Sequence, residues 1–393
     1  MPFTPHAHPG TLHHYLPRLV AFEHIPKTSS PLNLNLNPNP SRDNTYTAIS
    51  APANAPAPIK NYLLFLGGLG EGLSHPHYPS LLAEALSSAT GVEQGRQWSV
   101  VEVLLSSSYT GWTTSTLQRD AEELESAVQY FRDLQQSRTE QSDHLAPSGE
   151  AEAEAEGKGA TGTSMHYTEA AQAGSQGKIA LLGHSTGCQV ILQYLVGSPF
   201  PSPSSASSSP SRPPIDGIIL QAGISDREAL TLSLPSTLSS SLTLAKSMVA
   251  SGQASDHLPF SQHRGVFEAA PSAERWVSLV EPGGGDDFFS SDLGDDVFER
   301  TFGEVGRMGV RVCVLFSGED ENVPGWVDKE GLVGRWERAV RHGWEAGQDG
   351  DEGRGGWDEA SAVVKGAKHD PSACGEEVLR DVFERVRAFL GRC

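Results

Sequence analysis

The stretch Lys178-Ile-Ala-Leu-Leu-Gly-His-Ser-Thr-Gly-Cys-Gln-Val-Ile-Leu-Gln-Tyr-Leu195 constrains this chain more than any other. Ile179 to Leu182 is a short apolar run that suits a buried strand, and Val190, Ile191, Tyr194 and Leu195 recur at helical spacing. Between them Gly183-His184-Ser185-Thr186-Gly187 has to turn the chain from strand to helix. A serine on so tight a turn has its hydroxyl pushed out above the sheet. The residues two before and two after it must be small, because a side chain there would meet neighbouring backbone. The spacing G-x-S-x-G is weak evidence by itself in a chain with 41 glycines. Its context, strand before and amphipathic helix after, separates it from an ordinary glycine-rich turn.

The same alternation runs through much of the chain. Strands are expected at Leu19 to Ile25, Asn61 to Leu66, Ser99 to Leu105, Ile215 to Ile224, Val310 to Phe316 and Ala360 to Val364. Helices are expected at Pro79 to Leu86, at 114–136, after the serine turn, over the segment carrying Trp326, Leu332, Trp336 and Val340, and at Gly375 to Leu390. Strands alternating with helices imply an α/β protein with a mostly parallel, doubly wound sheet. Its ligand site then lies at the carboxyl ends of the strands. Residues 1–58 read as an arm with one strand and a loop, and 59–392 as the main domain. Low-complexity insertions are expected at 137–177, 197–214 and 347–356. Residues 228–307 lack the alternation and read as a possible cap. His6, His8, His13 and His14 have no carboxylate or thiol at ligand spacing, so a solvated arm is expected there and no metal site.

Composition narrows the partners. Hydrophobic residues make up 37%, so part of the length is expected to be solvated insertion. A formal charge of −20 disfavours nucleic acid and anionic membranes, both of which need basic surfaces. Cys188, Cys313, Cys374 and Cys393 form no C-x-x-C pair and no disulfide-like framework, which points to a reducing compartment. Met1-Pro-Phe-Thr-Pro-His has neither basic nor apolar leader regions, and no run reaches membrane-spanning length. The expectation is a cytoplasmic protein acting on a small molecule without a cofactor. Gly67-Gly68-Leu69-Gly70-Glu71-Gly72 is neither a dinucleotide fingerprint, since Leu73 replaces the third glycine, nor a P-loop, since no Lys-Ser/Thr follows. It reads instead as a loop whose backbone N–H groups approach a ligand closely.

Ser185, Asp320 and His369 each fall just beyond the carboxyl end of an expected strand, on one rim and in the order Ser, Asp, His. A serine hydroxyl needs a base, imidazole titrates near neutrality, and a carboxylate fixes the imidazole tautomer. Glu319, Asp226 and Asp328 are rival acids. His342 and His263 are rival bases, but they lie in or beside expected helices. An oxyanion would be held by the N–H of Thr186, aided by the helix dipole, and by that of Gly68 or Leu69.

Four segments carry a resemblance: Leu-Phe-Leu-Gly-Gly-Leu-Gly-Glu-Gly-Leu, Leu-Leu-Gly-His-Ser-Thr-Gly-Cys-Gln, Leu-Gln-Ala-Gly-Ile-Ser-Asp-Arg-Glu-Ala and Ser-Gly-Glu-Asp-Glu-Asn-Val-Pro. Together they resemble one α/β-hydrolase family of fungi and plants, catalogued as of unknown function. It includes fungal intracellular siderophore esterases that open fusarinine-type ester bonds. The resemblance covers most of residues 15–392 and implies an α/β-hydrolase fold. Residue by residue it implies Ser185 as nucleophile, Asp320 as acid and His369 as base. Gly67 departs from the wider fold, where many esterases carry a histidine before the oxyanion glycine. The expected function is therefore a serine esterase working through an acyl-enzyme. An acyltransferase with the same triad and a non-catalytic binding protein are the alternatives. Asp286, Asp287, Asp292, Asp295 and Asp296, within the possible cap, are expected to make a carboxylate-rich entrance that favours a cationic substrate, such as an amine-bearing siderophore ester.

Overall fold

The six residues of one strand, Ile179–His184, are all buried, and that is possible only when both faces of a sheet are covered. The computed structural model describes residues 8–26, 59–87, 96–145, 177–200, 212–263, 266–347 and 356–393. Its strands are β1 (Gly10–Leu16), β2 (Leu19–His24), β3 (Ile59–Leu66), β4 (Arg96–Val103), β5 (Ile179–His184), β6 (Gly217–Gln221), β7 (Arg311–Ser317), β8 (Gly356–Trp357) and β9 (Ala362–Val364). They form one nine-stranded sheet in the order β1-β2-β4-β3-β5-β6-β7-β8, with β9 also on β7. Pairing is parallel from β4 through β9 and antiparallel at β1-β2-β4.

Side chains along these strands divide between two cores with a period of two. Leu64, Leu66, Ile179, Leu181, Val312, Val314 and Phe316 enter one core. Leu63, Phe65, Ala180, Leu182, Cys313 and Leu315 enter the other. The first is closed by α2 (Leu117–Leu145), α3 (Thr186–Val196) and α7 (Lys329–Gly347), the second by α1 (Tyr78–Ser87) and α8 (Glu376–Leu390). Two-sided cover explains why the strands are continuous apolar runs rather than alternating ones.

A third, smaller core sits apart, built by α4 (Asp226–Ser233), α5 (Leu238–Ala250) and α6 (Ala273–Val280) around Leu230, Ala245, Trp276 and Leu279. Ser272 caps α6 by accepting the N–H of Arg275, and Trp276 Nε1 donates to Ser241 Oγ at 2.9 Å. Trp112 and Leu69 pack against this unit, so it covers the loop after β3. It is smaller than the cap expected over 228–307. Phe288, Phe289, Phe298 and Phe302 return to the main core, where the Phe302 ring stacks on Trp336 with centroids 5.2 Å apart.

Other boundaries moved as well. Residues 10–16, expected as solvated arm, form β1. His13 there is buried, contacts Tyr130 and donates toward Glu23 at 3.0 Å, while His14 is exposed. His6 lies outside the described residues. Trp326 precedes α7 and is exposed rather than packed. Helix α2 runs to Leu145, so only 146–176 of the insertion expected over 137–177 lies outside the described residues. The same holds for 201–211 of the expected linker and 348–355 of the last insertion. The segments 27–58, 88–95, 146–176, 201–211 and 348–355 each precede a strand of the parallel sheet, and so join it at its amino edge. Among the described residues, no helix is long and apolar enough to cross a membrane.

Candidate active site

Ser185 sits between β5 and α3 with φ 53° and ψ −124°, a strained conformation for any residue with a Cβ. Its neighbours show why the turn tolerates nothing larger. A Cβ on Gly187 would lie 2.3 Å from the Leu66 carbonyl oxygen, and one on Gly183 would lie 2.6 Å from the Gly187 backbone. The Ser185 N–H donates to the Gln221 carbonyl at 3.0 Å, tying the turn to the end of β6. Gly68 approaches so closely that a Cβ there would stand 2.7 Å from that of Ser185.

His369 Nε2 lies 2.9 Å from Ser185 Oγ, and His369 Nδ1 lies 2.8 Å from Asp320 Oδ2. An ionised carboxylate can only accept, so Nδ1 carries the proton and Nε2 is free to accept the Ser185 hydroxyl. Asp320 Oδ1 accepts the N–H of Asn322 at 2.9 Å, which fixes the carboxylate plane. The two loops are also tied to one another. Glu319 N–H donates to the Ala367 carbonyl at 2.8 Å, His369 N–H donates to Glu321 at 3.0 Å, and Lys329 Nζ holds the Gly318 carbonyl at 2.8 Å. The three residues the sequence brings to one rim thus stand in a single hydrogen-bonded line.

The rivals stand elsewhere. Glu319 is exposed, Asp328 accepts the Gly331 N–H near the start of α7, and His342 pairs with Glu299. His263 is buried in the cap region. Asp226 accepts from Gln189 Nε2 at 2.8 Å. Burial, then the nearby carboxylates of Asp286 and Asp287, push Asp226 up to about 7 against the pull of Arg275.

The oxyanion side corrects one expectation. The Gly68 N–H, a candidate donor to the oxyanion, instead donates to Glu71 Oε2 at 2.6 Å. Leu69 is left on the loop, and Thr186 opens α3, where helix geometry leaves its N–H without an intrahelical partner.

Beneath the rim lies a polar group that the sequence did not reveal. His184 Nδ1 hydrogen-bonds Gln221 Oε1, which also accepts from Tyr78 Oη at 3.2 Å. Gln221 Nε2 reaches Ser317 Oγ and the His369 carbonyl, each at 3.4 Å. His184 Nε2 lies 3.3 Å from Glu71 Oε1, close enough for an ion pair although not aligned as a hydrogen bond. Burial opposes the His184 imidazolium, yet Glu71, Gln221 and Asp370 hold its pKa above the ordinary value. A glutamine closing an otherwise apolar strand was the one available signal.

The family described as a protein of unknown function (DUF1749) matches residues 40–145 and 160–391. The chain belongs to the DUF1749 family. Over 390 residues it is 32% identical to "Fusarinine C esterase sidJ" of Aspergillus fumigatus, covering 92% of this chain and 89% of that one. It is 31% identical to "Esterase AN6793" of Emericella nidulans, over 97% and 92% of the two chains. The solved structure of "Siderophore hydrolase EstB from Aspergillus fumigatus" matches with a TM-score of 0.66 at 28% identity, covering 98% of this chain and 97% of its own. The fold of this DUF1749 chain is the α/β-hydrolase fold, and named esterases similar over nearly its full length support a hydrolase activity.

In the DUF1749 chain the acids expected at a charged entrance are spent on structure. Asp286 is buried and accepts from Arg275 and Ser278. Asp287 is buried and accepts from Ser290 and Arg227. Asp292 pairs with Arg227, Asp295 with Arg335 and Asp296 with Arg300. Five carboxylates held by four guanidinium groups, with Arg227 shared between two of them, leave little unpaired charge to select cations, which corrects the entrance reading. The same contacts give Ser225-Asp226-Arg227 its place. Ser225 caps α4 by accepting the Glu228 N–H and meets Ser290 Oγ at 2.6 Å, and Arg227 bridges Asp287 and Asp292.

Proposed function

We propose that this chain is a serine esterase that hydrolyses ester bonds of hydroxamate siderophores through an acyl-enzyme. The line Asp320–His369–Ser185 on a strained turn carries the proposal. In this reading Ser185 Oγ attacks the ester carbonyl while His369 Nε2 takes its proton, and the developing imidazolium is stabilised by Asp320. The N–H groups of Thr186 and Leu69 hold the oxyanion. The imidazolium then protonates the leaving alcohol, and water, deprotonated by the same imidazole, releases the acid. The similar proteins named for fusarinine C and for siderophores supply the substrate class. Because the acids of 286–296 are paired, no preference for a cationic form of the substrate is part of the proposal.

A fluorophosphonate probe followed by peptide mapping tests the nucleophile. Labelling should fall on Ser185 and vanish in Ser185→Ala, together with hydrolysis of a fusarinine-type cyclic ester to its linear acids. A label that survives the substitution, or maps to another serine, overturns the assignment. A labelled protein that cleaves simple aryl esters but leaves the siderophore ester intact removes the substrate class alone.

A further inference from the structure

The loop Gly67-Gly68-Leu69-Gly70-Glu71-Gly72 has four glycines in six residues, a composition that favours many backbone conformations over one. An oxyanion site needs the opposite, a donor held in place before the charge develops. Glu71 is the residue that closes this gap. Its Oε2 accepts the Gly68 N–H at 2.6 Å, its own N–H donates to the Gly68 carbonyl at 3.1 Å, and its carbonyl accepts the Tyr109 N–H at 2.8 Å. The other carboxylate oxygen stands 3.3 Å from His184 Nε2, on the residue that precedes Ser185. The loop is therefore fastened to the serine turn through one side chain.

The esterase reading leaves Glu71 without a part, and the geometry points to one. Resting on that reading, we infer that Glu71 is a positioning residue. It occupies the Gly68 N–H, fixes the peptide that follows, and so leaves the Leu69 N–H to face the oxyanion beside that of Thr186. A carboxylate this close to a developing negative charge would ordinarily oppose it. The buried His184 stands 3.3 Å from the other Glu71 oxygen, and Glu71 and Gln221 hold its pKa above the ordinary value against its burial, so the carboxylate is offset wherever this imidazole is protonated. Room for any other arrangement is small. A Cβ on Gly67 would meet the Glu71 side chain at 3.0 Å, and one on Gly68 would meet Ser185.

Two variants and one inhibitor test this. Glu71→Ala removes the acceptor, whereas Glu71→Gln keeps a carbonyl oxygen for the Gly68 N–H and removes only the charge. Losing one oxyanion donor costs about 10²–10³ in kcat, so Glu71→Ala should lower kcat about 10²-fold with KM moved less than about threefold. Glu71→Gln should recover most of that loss. Affinity for a trifluoromethyl ketone, whose adduct on Ser185 carries the oxyanion, should fall in step with kcat/KM across the series. Glu71→Ala with kcat within threefold of the parent, or a loss confined to KM, overturns the inference. Should Glu71→Ala not fold, Glu71→Gln decides: its ketone affinity should weaken in proportion to its own kcat/KM, and an unchanged affinity beside a reduced kcat/KM overturns the inference. A parent protein that takes up no phosphonate at Ser185 overturns the esterase reading, and the part given to Glu71 with it.

Discussion

Asp320 and the acids of 286–296 show how little a carboxylate's identity says about its use. Asp320 is buried, accepts one backbone N–H, and spends its remaining oxygen on an imidazole that reaches a serine. Asp286 is as deeply buried, but it faces Arg275, which is always charged and has no lone pair to offer a substrate. A carboxylate against histidine can tune a proton transfer, whereas one against arginine can only hold position. What sets the Asp320 line apart is that its imidazole goes on to reach Ser185 Oγ, whereas an arginine partner ends the chain of contacts.

The largest expected effect is on the histidine side of that contrast. Asp320→Asn should cost on the order of 10⁴ in kcat while leaving the fold intact, because the amide can favour the wrong imidazole tautomer. Steady-state kinetics with circular dichroism checks it. If Asp226→Asn does the damage instead, the acid belongs to the strand before. On the arginine side Asp286→Ala should leave the kcat of the folded fraction unchanged but lower unfolding free energy by about 3 kcal/mol, since Arg275 is left buried without its carboxylate. Urea denaturation measures this, and a large loss of kcat at unchanged stability would erase the distinction drawn here.

Asp226 stands between the two sets. Its ordinary value is 3.8 and the folded chain raises it to about 7, so the native state favours the protonated form. The stability this contributes is complete below about pH 4 and is lost as pH rises through 7. Asp226→Asn should therefore gain on the parent in melting temperature between pH 4 and 8, with most of the gain in place by pH 8. A difference between the two proteins that does not vary with pH means that this carboxyl does not titrate in that window. The smallest effect belongs to Asp292, which is exposed and paired with Arg227. Asp292→Asn should change stability by no more than about 1 kcal/mol and should leave KM for a cationic substrate where it was. A severalfold rise in KM that salt abolishes would restore the charged entrance.

Legibility followed the range of the interactions involved. β5 and α3 could be read because their patterns are local, and Ser185, Asp320 and His369 because each closes a readable strand on the same rim. β1 was missed because its buried positions include His13, whose partners Glu23 and Tyr130 come from elsewhere in the chain. The cap was drawn too large because Phe288, Phe289, Phe298 and Phe302 look the same in sequence whether they pack over the sheet's rim or under it. Glu71 could not be singled out within the Gly67–Gly72 loop, since what distinguishes it is a contact with His184 across more than a hundred residues.

The amino edge of the sheet has a consequence for how this chain can diverge. Five segments outside the described residues join the parallel strands there, while Ser185, Asp320, His369 and the Glu71 loop all follow the opposite, carboxyl ends. Additions and deletions at those five joints are expected to leave the register of the strands, and hence the spacing of Ser185, Asp320 and His369, untouched. Two descendants could thus differ by dozens of residues in length and keep the same chemistry. A change of a single residue in the six after β3 would be the more consequential event.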